Sequence, residues 1–258
     1  LRLGDTETTP YGAGNWGSRG AGTGGETAFK AAQVLRNNIL GVAAFLLQLE
    51  ASKLDMDGGN IIQVVDKKVR MSLKELAYTV YFRTDLFPKD FQPELSATRH
   101  YSQKDLDAVV TNGIQGSYLE VDIETGFVKL LHHWVVHDCG TVINPGLVGE
   151  QIRGGVVQGL GAALGERCQY SSEGQLMNGS LADYLVPMAF EMPDISVDLI
   201  STPTNVSELG AKGAAEAGTA GAPAVVMNAI NDALSPFETA LSDQPFTPER
   251  IIKALGVA

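Results

Sequence analysis

The sequence predicts an α+β fold in which helices and antiparallel hairpins mix. Long segments carry apolar residues at helical spacing, and shorter segments alternate in polarity around turns. The two kinds of segment do not follow the βαβ order that a doubly wound parallel sheet requires, so an α+β architecture is favoured. With 258 residues the chain is long enough for one large domain or two ordinary ones.

The first part of the sequence predicts two helices and one hairpin. Ser72 and Glu75 have the spacing of a capping box, which marks the start of the second helix. The hairpin is expected to turn at residues 66–68, where charged side chains interrupt the alternating pattern. In order, the predicted elements are a strand end at residues 1–3, a glycine-rich loop at 12–25, a helix from Thr27 to about Leu54, a hairpin at 61–71 and a helix starting at Ser72.

The remaining sequence predicts a hairpin, two further strands and three helices. Glu124-Thr125-Gly126 is typical of a tight hairpin turn, and Thr247 followed by Pro248 is typical of a helix start. In order, the predicted elements are an irregular polar segment at 84–112, hairpin strands at 117–123 and 127–137, a helix from Pro145 to about Leu164, strands near 167–170 and 195–201, a small-residue loop at 209–223, a helix at 224–234 and a short helix after Thr247.

Charge and cysteine content exclude several classes of function. The 30 acidic and 19 basic residues give a net charge of -11, which repels nucleic acid and anionic lipid surfaces. The two cysteines, Cys139 and Cys168, cannot supply the four thiolates of an iron–sulfur cluster, and so few cysteines suggest a reducing compartment. The most apolar stretch, residues 39–49, is too short to span a bilayer.

The first residues suggest that the chain is a piece of something longer. No initiator methionine or signal-peptide pattern is present, and residues 1–3 are typical of a strand already under way. We therefore expect a cleaved fragment or one piece of a split subunit. Residues 1–3 are expected to pair with a strand from outside this sequence, because an unpaired sheet edge is an aggregation hazard.

The glycine-rich loop is the first candidate site. Residues 12–25 contain seven glycines, which let a backbone approach a ligand closely, and the following helix offers free N–H groups to an anion. Residues 12–17 also fit the dinucleotide fingerprint, but no buried strand precedes them and the next helix is too long, so we reject that interpretation. A flexible surface loop is the alternative.

The helix that begins at Pro145 is the second candidate site. Its glycines each cost about 1 kcal/mol relative to alanine, which predicts that another backbone or a cofactor presses against it. Gln158 lies roughly 200° around the axis from Val156, off the apolar stripe, and is either solvated or a ligand contact. The stripe comprises Val148, Ile152, Val156, Leu160 and Leu164, and the glycines are Gly149, Gly154, Gly155, Gly159 and Gly161.

The third candidate is Glu216, the only acid between Gly210 and Gly221. A carboxylate there can cap the next helix, or it can act as a general base if the site is desolvated. Pairing with Lys212 would require a helix that the glycines disfavour. We expect both glycine-rich segments to face one cavity, with Gln158 on its wall. The histidines show no metal-ligand spacing and are interpreted as surface or hydrogen-bonded side chains: His100, His132, His133 and His137.

Four ordered motifs resemble one family. They are GDTETTPYGAGNWGSRGAGTGG, HDCGTVINPGLVGEQIRGGVVQGLG, YSSEGQLMNGSLADYLVP and LGAKGAAEAGTAGAPAVVMNAINDAL. From residue 1 to about 235 they are similar to the large subunit of molybdenum hydroxylases, the xanthine dehydrogenase and aerobic carbon monoxide dehydrogenase family. The bacterial carbon monoxide dehydrogenase-like branch is the more similar one. The resemblance implies that residues 1–258 form the C-terminal molybdenum cofactor-binding domain.

The resemblance also implies roles for individual residues. Glu216 would be the base beside the metal, and Gln158 would hydrogen-bond the pterin. The other cofactor contacts would be Ala21, Gly22, Thr23, Gly213 and Ala215. The pterin dithiolene would hold the molybdenum without a protein ligand, so no metal-ligating residue is expected.

The activity that the resemblance implies is hydroxylation of an electron-poor carbon, in an N-heterocycle or an aldehyde, with water as the oxygen source. Electrons would pass to iron–sulfur clusters and FAD on other subunits. Implied partners are the remaining part of the large subunit, an iron–sulfur subunit and a flavin subunit. The family suggests a cytosine dinucleotide cofactor and a cytoplasmic location. Two alternatives stay open: a carbon monoxide dehydrogenase large-subunit fragment, and a non-catalytic structural or assembly module.

Overall fold

The computed structural model describes residues 4–9, 11–12, 14–103 and 109–256. The strand end predicted at residues 1–3, with its expected pairing, lies outside the described residues. The chain divides into two compact units. The first contains the described residues of Leu1–Gly22 and Lys104–Ala258, and the second is Thr23–Gln103. The assignment of residues 1–258 to one cofactor-binding domain stays a prediction.

The second unit combines two helices with a three-stranded antiparallel sheet in the order β1-β2-β3. The hairpin and the Ser72–Glu75 capping box are confirmed: the Glu75 N–H donates to Ser72 Oγ at 3.1 Å, and the Ser72 N–H donates to Glu75 Oε2 at 2.8 Å. The elements are α1 (Glu26–Leu47), β1 (Leu54–Asp57), β2 (Asn60–Gln63), β3 (Val69–Ser72) and α2 (Leu73–Phe82).

Both ends of α1 differ from the prediction. The last part of the expected glycine-rich loop, Gly20–Gly25, forms a π-helical turn that runs directly into α1. The helix ends at Leu47, because Gln48 adopts a left-handed backbone conformation with φ of 53°. Leu54 therefore begins β1, a strand that the sequence analysis missed because its apolar residues continue the helical spacing.

The first unit packs three helices against a mixed three-stranded sheet in the order β4-β5-β6. Its elements are β4 (Asn112–Val121), β5 (Val128–Asp138), α3 (Pro145–Leu164), β6 (Asp194–Ile200), α4 (Ala215–Leu234) and α5 (Pro248–Leu255). Short 3₁₀ turns lie at Ala51–Lys53, Thr84–Leu86, Ala189–Glu191 and Ser235–Phe237. None of the helices among the described residues has the length and apolar character needed to cross a membrane.

The sheet of the first unit confirms the β4–β5 hairpin and contains one parallel pair that the sequence analysis did not predict. β6 pairs with β5 in parallel, from His132 opposite Asp194 to Asp138 opposite Ile200. A parallel pair needs a crossover, and α3 together with residues 165–193 supplies it. The sequence analysis missed this βαβ unit because residues 165–193 separate α3 from β6. The strand predicted near 167–170 is wrong: the described residues there form one isolated bridge, between Tyr170 and Leu176.

The core of the first unit lies between α3, α4 and the inner face of the sheet. The apolar stripe of α3 is confirmed as a core stripe, because Ile152, Val156 and Leu160 are fully buried. They are packed with residues from α4, α5, the strands and the segment before α5: Leu119, Leu130, Val135, Ile195, Ala222, Val226, Ile230, Leu234, Phe246 and Ile251.

Helix α4 begins at Ala215, although the sequence predicted a loop as far as residue 223. The alanines of this segment favour a helix, but Gly218, Gly221 and Pro223 disfavour one locally, and the small side chains allow α4 to lie directly on α3. A Cβ atom on Gly155 would lie 2.3 Å from the Ala215 carbonyl oxygen, and one on Gly218 would lie 2.7 Å from the Ile152 carbonyl oxygen. Gly155 and Gly159 of α3 are therefore explained by the neighbouring backbone of α4, since a Cβ atom on Gly159 would lie 2.8 Å from the Thr219 carbonyl oxygen.

This close approach predicts opposite effects for two adjacent glycines. Gly155→Ala should lower the free energy of unfolding by about 1–3 kcal/mol, because the new methyl group overpacks the α3–α4 contact. Gly154→Ala is the matched control, since a Cβ atom there meets nothing within 4 Å. It should be neutral or raise stability by up to about 1 kcal/mol. Urea unfolding of the chain measures both, and equal effects would contradict the close approach.

Candidate functional site

Helix α3 and the first turn of α4 form the walls of an open cavity of about 240 Å³. Two of the three candidate sites meet here, because Gln158 lies on one wall and Glu216 on the other. The described residues that line it are Glu150, Gln151, Gly154, Gly155, Gln158, Ala215 and Glu216. Gly154 is exposed and a Cβ atom there would meet nothing within 4 Å, so the backbone of α3 at this position is accessible to a ligand.

Glu216 lies in the first turn of α4, with its side chain exposed. Its Oε2 atom accepts a hydrogen bond from Ser18 Oγ at 3.1 Å, and its backbone N–H donates to the same Ser18 Oγ at 3.0 Å. The N-cap residue of α4, Ala214, makes no side-chain capping bond. Ser18, from the glycine-rich loop, therefore supplies the oxygen that accepts from the start of α4. The carboxylate of Glu216 is left directed at the serine hydroxyl.

Ser18 is a site residue that the sequence analysis missed. It lies between Gly17 and Arg19 with a left-handed backbone, φ of 54°, and nothing in the sequence distinguishes it. Gly213 makes room for it, since a Cβ atom on Gly213 would lie 2.9 Å from the Ser18 Cβ atom. Only tertiary structure brings residue 18 to residue 216.

Gln158 projects from α3 into the cavity and is exposed. Thr219 Oγ1 lies 2.9 Å from the Gly155 carbonyl oxygen and 3.3 Å from Gln158 Oε1, and its one proton is shared between these two acceptors. No described residue accepts a hydrogen bond from the Gln158 amide nitrogen. The amide N–H groups therefore remain available to a molecule in the cavity.

The other predicted contact residues lie in two places. Ala215 lines the cavity, and Gly213 is three residues before Glu216, with its carbonyl oxygen 3.2 Å from His137 Nε2. Ala21, Gly22 and Thr23 all lie in the turn Gly20–Gly25, and Thr23 belongs to the second unit. The described residues that line the cavity all belong to α3 and α4. From the first glycine-rich loop, the structure places Ser18 in contact with Glu216.

A buried ion pair holds the segment that leads into α4. Lys212 Nζ lies 3.0 Å from Asp138 Oδ2 and donates to Thr202 Oγ1 at 2.8 Å. Asp138 Oδ1 accepts from the N–H groups of Gly140 at 2.9 Å and Thr202 at 3.1 Å, and the Thr202 hydroxyl donates to Oδ2. Burial acts to raise the pKa of Asp138, but these hydrogen bonds outweigh it and hold its pKa well below the usual range.

Backbone bonds reinforce this ion pair. The Lys212 N–H donates to the Cys139 carbonyl at 2.7 Å, and the Thr141 N–H donates to the Gly210 carbonyl at 3.0 Å. The motif beginning at His137 and Asp138 is thereby joined to residues 210–213. Two of the sequence motifs thus meet to fix the chain just ahead of Glu216.

The histidines are mostly hydrogen-bonded, and His133 is fully buried on β5. His132 Nε2 lies 2.9 Å from Ser196 Oγ, and His137 Nε2 contacts the Gly213 carbonyl oxygen. Over the described ranges, no three His, Cys, Asp or Glu side chains gather in a way that could hold a metal ion.

The sequence of residues 1–193 matches the family described as the molybdopterin cofactor-binding domain. The chain is 37% identical to the nicotine 6-hydroxylase large subunit of Paenarthrobacter nicotinovorans, over 95% of this chain and 30% of that protein. It is 30% identical to the carbon monoxide dehydrogenase large chain of Hydrogenophaga pseudoflava, over 98% of this chain and 31% of that protein.

Solved structures agree with these sequence relatives. The fold superposes on quinoline 2-oxidoreductase from Pseudomonas putida 86 with a TM-score of 0.85 and 34% identity, covering 97% of this chain and 32% of that one. A Cu,Mo-containing carbon monoxide dehydrogenase superposes with a TM-score of 0.84 and 28% identity, covering 98% and 32%. The chain spans about a third of the length of these relatives.

Proposed function

The chain belongs to the molybdopterin cofactor-binding domain family, and we propose that it forms the C-terminal cofactor-binding part of a molybdenum hydroxylase large subunit. The enzyme would hydroxylate an electron-poor carbon, in an N-heterocycle or an aldehyde, with oxygen from water. The observation that carries the proposal is the shared cavity, where the Gln158 amide and the Glu216 carboxylate lie on facing helices.

The cavity fits one part of a pterin cofactor. Gln158 offers amide N–H groups, and the glycine and alanine positions let a flat ring approach the backbone of both helices. The volume of about 240 Å³ is below the ~300–1,000 Å³ typical of sites that enclose a drug-sized ligand. We therefore infer that this chain supplies one wall and that the rest of the large subunit supplies the others.

In the proposed mechanism each residue of this chain has one task. The bound cofactor and its metal supply the redox chemistry and activate water. Gln158 orients the cofactor by hydrogen bonding. Glu216 accepts a proton at its carboxylate, and Ser18 holds that carboxylate through the 3.1 Å contact between Ser18 Oγ and Glu216 Oε2. Glu216 is exposed in this chain, so exclusion of water around it would require the other walls.

We further propose that Ala21, Gly22, Thr23, Gly213 and Ala215 contact the cofactor, which would be the cytosine dinucleotide form. The partners would be the remaining part of the large subunit, an iron–sulfur subunit and a flavin subunit, assembled in the cytoplasm. Large exposed apolar side chains support burial against further protein. In the first unit they include Ile114 at 70%, Leu181 at 81% and Phe190 at 81% exposure.

A second candidate function is carbon monoxide oxidation. It is favoured by the 30% identity to a carbon monoxide dehydrogenase large chain over almost the whole of this chain. A non-catalytic structural or assembly module is the third possibility. It would share the fold and would bind no substrate.

Cofactor analysis of the purified complex that contains this chain tests the proposal. We expect molybdenum and a cytosine pterin dinucleotide in a near-stoichiometric amount, and bleaching of the iron–sulfur and flavin absorbance by an N-heterocycle or an aldehyde. Bleaching by carbon monoxide alone would favour the second function. An intact complex without molybdenum and pterin would sink the proposal and favour the assembly module.

A further inference from the structure

Gln115 on β4 is bound to the first turns of α4. Its Nε2 atom donates to the carbonyl oxygens of Ala217 at 3.3 Å and Gly218 at 3.1 Å. Its Oε1 atom lies 3.0 Å from His133 Nε2. Because carbonyl oxygens only accept, the amide NH₂ group must face α4 and Oε1 must accept from the histidine ring. The contacts join the sheet to the two residues directly after Glu216.

The same geometry defines the state of His133. Its Nε2 atom must carry the proton that Gln115 accepts, so Nδ1 is the unprotonated nitrogen of the neutral ring. Burial, with a smaller effect of nearby His132, lowers the pKa of His133 to about 4, which keeps the ring neutral at physiological pH. Nδ1 has no hydrogen-bond partner among the described residues. A buried acceptor without a partner costs stability, which an apolar side chain would avoid.

A glycine of α4 makes space for the Gln115 amide. A Cβ atom on Gly221 would lie 2.5 Å from Gln115 Nε2, so a glycine at that position of α4 leaves the space that the amide fills. The pair bonds the helix on its sheet side, whereas Ser18 bonds its N-terminus. The start of α4 is therefore held at two separate places, at the backbone N–H of Glu216 and at the carbonyl oxygens of Ala217 and Gly218.

We propose that Gln115 and His133 are positioning residues that set the orientation of the first turn of α4 and, through it, of the Glu216 carboxylate. The role in catalysis rests on the proposed function, but the effect on α4 itself does not. Neither side chain lines the cavity among the described residues, so both act through the helix backbone. A shift of about 1 Å in a reacting group can lower a rate by roughly 100-fold.

The test uses Gln115→Met in the assembled enzyme, because methionine keeps the side-chain length and removes all three hydrogen bonds. Hydrogen–deuterium exchange should become faster in residues 215–221 and stay unchanged in α3. Reduction by substrate should slow roughly 10- to 100-fold with KM and molybdenum content unchanged. Gln33→Met, the same substitution at an exposed position of α1, is the control and should change neither measurement.

A second pair of variants separates positioning from packing. His133→Gln keeps an N–H donor for Gln115, so its exchange and its rate should stay near normal. His133→Leu has a similar volume but lacks the donor, so it should behave like Gln115→Met. This pair also decides the matter if Gln115→Met fails to assemble. Equal behaviour of the two His133 variants, or normal exchange in Gln115→Met, would overturn the inference. If the unaltered complex contained no cofactor but Gln115→Met still changed the exchange of residues 215–221, the proposed function would be wrong and the positioning of α4 would stand.

Discussion

Glu216→Gln is expected to leave the assembled enzyme folded and loaded with cofactor while slowing its reduction by substrate by about 10²–10⁴-fold. Glutamine has the shape of glutamate, and its Oε1 atom can still accept the hydrogen bond from Ser18 Oγ, which spans 3.1 Å to the carboxylate. The carboxamide cannot accept a proton at physiological pH. Rapid mixing with substrate measures the rate, and metal analysis measures the loading.

Glu150→Gln is the matched control for Glu216→Gln. Glu150 lines the same cavity, but its carboxylate pairs with Arg153 at 2.6 Å on the surface of α3. The same chemical change there should alter the rate little. If Glu216→Gln destabilised the protein and kept normal turnover per folded molecule, Glu216 would serve the stability of α4 and would not be the base.

Asp138→Ala is expected to lower the free energy of unfolding by about 3–5 kcal/mol. The substitution leaves the Lys212 ammonium buried without its carboxylate, and the N–H groups of Gly140 and Thr202 lose their acceptor. An uncompensated buried charge is the larger part of this cost. Adding Lys212→Met to Asp138→Ala should recover part of the loss, because the double variant buries no charge.

An exposed ion pair on the same sheet provides the control for Asp138→Ala. Lys129 Nζ and Glu120 Oε1 lie 3.5 Å apart with both side chains largely exposed. Exposed pairs contribute little to stability, so Glu120→Ala should leave urea unfolding nearly unchanged. Similar decreases in the free energy of unfolding for Glu120→Ala and Asp138→Ala would show that burial does not increase the contribution of the Asp138–Lys212 pair to stability.

Local signals in the sequence determined much of the fold. The α+β class, the bounds of α3, the capping box before α2, the β4–β5 hairpin and the Thr247 N-cap of α5 are confirmed. Each depends on residues a few positions apart: apolar spacing, a capping side chain or a turn residue. The motifs also predicted the family, because four of them occur in order along the chain.

Tertiary structure alone decided the start of α4 and the surroundings of Glu216. At 213–221 the helix-favouring alanines are offset by glycines, and the segment from Ala215 becomes helical because it fits against α3, with glycines that leave space for Ser18 and Gln115. The same holds for the parallel β6 strand and the Lys212–Asp138 pair, whose members are far apart in sequence. Such contacts depend on which surfaces pack together once the chain has folded. The spacing of residues along the sequence predicts local elements and does not predict which distant surfaces meet.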